Sequence, residues 1–128
     1  MKLTAKVAVR ICAVVFYKAA GVEGIVNVRL WSDGGATGTL LASGAVSTTS
    51  AAAWVTVKLD AVIDVAAGTN VIASYNTPGP YWSQSGGPTA ETAGIKATGS
   101  AYIYGGTGTY PSNTFDSNYF VDVVSSNI

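Results

Sequence analysis

The 128-residue sequence has no histidine, one cysteine, one methionine, four prolines and only 11% charged residues. Each shortage removes a class of explanation. Without histidine there is no Ser-His-Asp arrangement. With Cys12 as the sole cysteine there is no internal disulfide. Set between Ile11 and Ala13, Cys12 reads as a small buried apolar residue; a reactive thiol would want a histidine or a cation beside it. The seven basic residues, Lys2, Lys6, Arg10, Lys18, Arg29, Lys58 and Lys96, are scattered and balanced by seven acids. A nucleic-acid partner calls for a clustered basic excess, so none is expected. No apolar run approaches the ~20 residues of a membrane span, so no membrane partner is expected either. The first ten residues superficially resemble a signal peptide, but Arg10 interrupts the apolar segment, and cleavage near Ala19 would delete a strand; export through this segment is not expected.

What remains is a chain that is 48% hydrophobic, rich in Gly, Ser, Thr and Asn, and of zero net charge. Ordinary soluble domains carry about 25% charged residues. The surface must therefore be polar but uncharged, or partly covered by neighbours. With no net charge, little electrostatic repulsion keeps copies apart. The length suits one domain that buries roughly two-thirds of the surface of its unfolded chain.

The hydrophobic pattern has period two almost throughout. In residues 2–18, Leu3, Ala5, Val7, Val9, Ile11, Ala13, Val15 and Tyr17 fall on one face and Lys2, Thr4, Lys6, Arg10 and Lys18 on the other. At ~3.3 Å per residue such a strand would exceed 50 Å, so a break near 9–12 is expected. Further strands are expected at 25–31, 39–47, 54–59, 61–65, 70–76, 94–98, 101–104 and 119–124, separated by turns such as Asp33-Gly34-Gly35. No amphipathic helix of useful length appears. The expected fold is all-β: an antiparallel, jelly-roll-like β-sandwich of about 8–10 strands. Residues 1–10 are expected to form an N-terminal strand or contact arm, and 11–128 a single sandwich domain.

Candidate chemistry is thin. Asp60 and Asp64 are four apart on an extended strand, about 13 Å by strand geometry, too far for a paired-carboxylate glycosidase. Asp116 with Asn113 or Asn118 offers a calcium site, although too few acids cluster for a helix-loop type of site; otherwise no metal or cofactor is expected. Gly34-Gly35, Gly86-Gly87 and Gly105-Gly106 are turns, and none opens a helix that would cradle phosphate. No catalytic residue is identified. The aromatics lead further. Tyr81, Trp82, Tyr102, Tyr104 and Tyr110 lie in or near a Gly/Ser/Thr-rich stretch, where exposed rings with polar neighbours stack on sugars. The competing reading is that they cap the core or bury against a protein neighbour. Trp31, Trp54 and Tyr75 lie on strands and read as packing residues.

The ordered set Phe16-Tyr17-Lys18 with Gly21, Arg29-Leu30-Trp31-Ser32, Leu40-Leu41-Ala42, Trp54, Ala67-Gly68-Thr69-Asn70-Val71 with Ser74-Tyr75, Tyr110-Pro111-Ser112 and Asn118-Tyr119-Phe120-Val121-Asp122-Val123 resembles a known domain family. It is an uncharacterised β-sandwich domain of bacterial secreted multidomain proteins, similar to domains of minor tail and other surface proteins of phages infecting actinobacteria. The resemblance runs roughly over 11–124. It departs at Val15, where relatives commonly have a basic residue, and in beginning with Met rather than inside a long polypeptide. The family brings no catalytic residues. It implies a non-enzymatic structural or interaction protein on a virion surface, a capsid decoration, head fibre or tail part. Such a protein docks on other virion proteins or on copies of itself. The alternative is a carbohydrate-binding module of a secreted or virion protein, anchoring it to cell-surface or extracellular polysaccharide through host-surface glycans.

Overall fold

The computed structural model describes residues 1–77, 84–85, 92, 94–102, 109–115 and 117–128. Eleven strands follow one another: β1 (Lys2–Ala5), β2 (Val9–Lys18), β3 (Gly24–Ser32), β4 (Leu40–Thr48), β5 (Ala53–Val65), β6 (Asn70–Tyr75), β7 (Gln84–Ser85), β8 (Ile95–Tyr102), β9 (Asn113–Phe115), β10 (Ser117–Asn118) and β11 (Val121–Asn127). They build a six-stranded sheet in the order β4-β3-β6-β1-β8-β9 and a three-stranded sheet in the order β11-β2-β5, with β7 and β10 paired on their own. All pairings are antiparallel. The all-β sandwich expected from the alternation is therefore the fold.

One core lies between the two larger sheets. Leu3, Val26, Val28, Leu30, Val71 and Ala73 face it from the large sheet, and Val9, Ile11, Val14, Phe16, Val57 and Leu59 from the small one. At its centre the Phe16 ring stacks on Tyr75, centroids 4.5 Å apart and 13° from parallel.

The first eighteen residues break as their length requires, but at a different place. The chain bends at 6–8 to cross from the large sheet to the small one, leaving β1 and β2 on either side. Near 9–12 there is instead a β-bulge. Against β11, Ile11 and Ala13 oppose the consecutive Ser125 and Val124, so Cys12 is the extra residue; against β5 they oppose Ile63 and Lys58, with residues 59–62 left between. A bulge inserts a residue and shifts the alternation by one. Val9 and Ile11 face the core before it; Val14 and Phe16 face it after, and Val15 and Tyr17 turn outward. The same shift turns Lys18 inward, against the outward position its period-two phase predicts. It is 3% exposed, and its ammonium donates to the carbonyls of Ala19 at 3.4 Å and Val22 at 3.2 Å. The stretches 54–59 and 61–65 are one continuous strand, and 94–98 joins 101–102 in β8.

Of the strand or contact arm expected at residues 1–10, the structure has the strand. β1 lies inside the large sheet, laddered to β6 on one side and β8 on the other, with Met1, Leu3 and Ala5 buried. A strand with both edges paired has no free edge to offer a neighbour. Its pairing continues to the first residue, where the Met1 amine donates to the Ala73 carbonyl at 2.8 Å and the Ala73 N–H donates back to the Met1 carbonyl at 3.0 Å.

Burial lowers the Met1 amine from 8.0 to about 5, because the charged form loses its hydration; Asp122 opposes the effect and Lys2 adds to it. Between pH 5 and 8 the unfolded chain holds a proton there that the folded chain does not. Stability of the 128-residue chain should therefore rise with pH across that window and fall as pH drops toward 5, by a few kcal/mol at most. Urea midpoints at pH 5 and 8 check this. An N-terminally acetylated chain, which has no amine to titrate, should lose this part of the rise.

Candidate functional site

Of the five aromatics expected to contact glycan, Tyr81, Trp82 and Tyr104 lie outside the described residues, as does Asp116 of the expected calcium site. The other two do not share a surface patch. Tyr102, at the end of β8, packs beside Tyr119 at a centroid separation of 6.4 Å. Tyr110 lies across the outer face of the large sheet. Its ring meets Trp31 edge to face at 5.7 Å, and its hydroxyl reaches an Asp33 carboxylate oxygen at 3.3 Å and the Gly35 carbonyl at 3.2 Å. Burial first, and Asp33 second, raise its phenol above the ordinary tyrosine range.

This second cluster is a clasp. Asp33 also accepts the Gly35 N–H at 3.0 Å and faces Lys2 at 3.8 Å. Gly38 is required beneath it, because a Cβ there would run into the Tyr110 ring. Trp31, 5% exposed, donates its indole N–H to Ser74 at 2.9 Å. Tyr110 is thus engaged in fastening the 109–112 segment over the sheet.

The two carboxylates considered for catalysis hold structure as well. Asp60 accepts the Ser43 N–H at 3.0 Å and the Ser43 hydroxyl at 3.3 Å, which ties β5 to β4 across the corner between the sheets. Asp64 pairs with Arg10 at 2.8 Å on the surface, and its hydrogen bond to Arg10 lowers its pKa. Cys12 is half-buried at the bulge and donates its S–H to the Val124 carbonyl at 3.7 Å. Among the described residues no three of His, Cys, Asp and Glu stand close enough to hold a metal ion.

Among the described residues, the most exposed tryptophan is one that strand periodicity assigns to packing. Trp54, on β5, is 60% exposed on the outer face of the small sheet. It stands opposite Tyr17 of β2, whose ring meets it edge-on at 5.4 Å and 67°. Along the same face run Thr56 beside Val15 and Lys58 beside Ala13, with Asp122 of β11 next to Val15. Thr56 and Lys58 are exposed, and Lys58 has no ion-pair partner among the described residues. Large aromatics are on average well buried. An exposed tryptophan on the same sheet face as a hydroxyl, an ammonium and a carboxylate is a surface able to stack on a ligand and hydrogen-bond it.

Residues 1–121 match the family described as a domain of unknown function, DUF4082. The match starts at the first residue, so β1 lies within the family's span. No curated protein and no solved structure matches the chain.

Proposed function

Since the chain belongs to the DUF4082 family, we propose that it is a non-enzymatic interaction domain of a surface assembly, docking through the outer face of its β3–β4 ribbon onto copies of itself. β4 carries this reading. Its nine residues contain no charge and no proline, and it forms one edge of the six-stranded sheet. Ile25 and Leu40, at opposite ends of the ribbon's outer face, are 67% and 46% exposed, with Ala45 and Ser47 exposed between them. A bulge at Leu41 interrupts the pairing of β4 with β3, an irregularity of the kind that protects an edge from strand addition. Apolar exposure of this kind marks interaction surfaces. The zero net charge supports association of like copies. Asp60 already caps the outward Ser43 N–H, so docking uses the face of the ribbon rather than an added strand.

The setting follows from the family resemblance of the sequence motifs: a phage virion component, such as a capsid decoration, head fibre or tail part, or else a domain of a secreted protein. Catalysis has no support in the residues. Histidine is absent, and Asp60 and Asp64 are spent on structural bonds.

Static light scattering on the Ile25→Lys, Leu40→Lys double variant tests the docking face. Both side chains are exposed, so thermal stability should stay within about 0.5 kcal/mol of the parent while the mass falls to that of a monomer. An unchanged oligomer in that variant would remove this ribbon as the interface. A second reading, attachment to polysaccharide, is favoured by one observation, the open indole of Trp54 on the opposite face of the sandwich.

A further inference from the structure

We propose that the outer face of the small sheet is a saccharide-binding site in which Trp54 is the stacking platform, Tyr17 its support, and Thr56, Lys58 and Asp122 the hydrogen-bonding rim. The inference develops the second reading above and is independent of docking through the β3–β4 ribbon, which lies on the other side of the sandwich.

The argument starts from geometry. Register puts Tyr17 directly opposite Trp54, and the T-shaped contact between the two rings braces the indole. The ring is left 60% exposed on a strand whose backbone is fixed by the ladder to β2. An aromatic face carries negative charge density, so it attracts the weakly positive C–H bonds that a pyranose presents on one side.

The rim supplies what the indole cannot. Trp54, Thr56 and Lys58 alternate along one side of β5, so a stripe of about 14 Å runs from the indole to the ammonium, long enough for a short oligosaccharide. Thr56 gives a hydroxyl that donates and accepts, and Lys58 an ammonium that donates. The Asp122 carboxylate, one strand further on, accepts the Val123 N–H at 2.8 Å with one oxygen and keeps acceptor capacity for sugar hydroxyls. A protein partner would be expected to meet a broad apolar surface; here the outward positions of β5 that follow the indole, Thr56 and Lys58, are polar, while Val55, Val57 and Leu59 face the core. That pattern fits a polyhydroxylated ligand with apolar ring faces better.

The test is titration of the 128-residue chain with four neutral hexasaccharides, cellohexaose, xylohexaose, mannohexaose and chitohexaose, by calorimetry and by indole N–H resonances in two-dimensional NMR. The Trp54 resonance is assigned by its absence in Trp54→Phe. Saturable binding to at least one of them with a Kd between about 10 μM and 1 mM is expected, with the Trp54 resonance shifting most. Trp54→Ala should weaken binding by about 10- to 30-fold, and Trp54→Phe should restore part of it. Both variants should keep the parent's unfolding midpoint, because the ring is largely in solvent already. Three results would overturn the proposal: no saturable binding to any of the four, binding unchanged in Trp54→Ala, or a loss of oligomer mass in Trp54→Ala in place of a loss of saccharide binding. The last would make this face a protein interface. The first two leave the β3–β4 reading untouched, and that reading is tested by the Ile25→Lys, Leu40→Lys variant.

Discussion

A chain that begins at residue 7 should fail to fold. It lacks β1, the strand between β6 and β8 in the large sheet, and with it the buried side chains of Met1, Leu3 and Ala5. Fully burying one leucine is worth about 1.5–3 kcal/mol. The larger loss is in the backbone: the ladder bonds on both sides of β1 go, leaving the facing edges of β6 and β8 unpaired around a slot in the sheet. Each buried polar group left without a partner costs about 1–3 kcal/mol. The sum exceeds the ~5–15 kcal/mol by which a domain is ordinarily stable. Circular dichroism and a urea titration of the truncated chain decide it. A cooperative transition within about 1 kcal/mol of the parent would mean that β1 is dispensable and the arm expected for residues 1–10 is real.

The second large effect concerns a single residue whose chemistry hardly matters. Deleting Cys12 should destabilise the chain by several kcal/mol, whereas Cys12→Ser should cost about 1 kcal/mol or less. The bulge at Cys12 is what lets Val9 and Ile11 face the core on one side of it and Val14 and Phe16 on the other. Without the extra residue one of these pairs must turn to solvent and carry its neighbours' register with it. Replacing the side chain leaves that count intact and alters only a weak bond from a half-buried sulfur to the Val124 carbonyl. Paired unfolding curves for the deletion and the substitution separate the two. Equal losses would show that the thiol itself, and not the register, is what the site requires.

Cys12 also marks the limit of what alternation can reveal. Period two identifies strands because side chains alternate by geometry, and it locates β3, β4 and β6 closely. It cannot place a bulge, because Ile11-Cys12-Ala13-Val14-Val15-Phe16 is apolar at every position and reads equally well in either phase. The alternation accordingly puts Lys18 on the outer face, whereas it lies inside. The candidate site was harder to read for a related reason. Trp31 and Trp54 both point away from the core on alternating strands, and nothing local distinguishes them. Trp31 is covered by Tyr110, 79 positions further along the chain, while nothing described covers Trp54 to the same degree. Exposure of a strand residue is set by what crosses over it, and that is a property of the fold.

Two proposals concern opposite faces of one sandwich: a ribbon proposed to associate with copies and a sheet proposed to stack on sugar. The docking claim comes first, because it determines whether the chain acts as an assembly. Its most direct test is the solution mass of the purified 128-residue chain by light scattering over a range of concentrations. A closed oligomer, stable on dilution and dissociated by Ile25→Lys with Leu40→Lys, is the result predicted. A monomer at every concentration would contradict it.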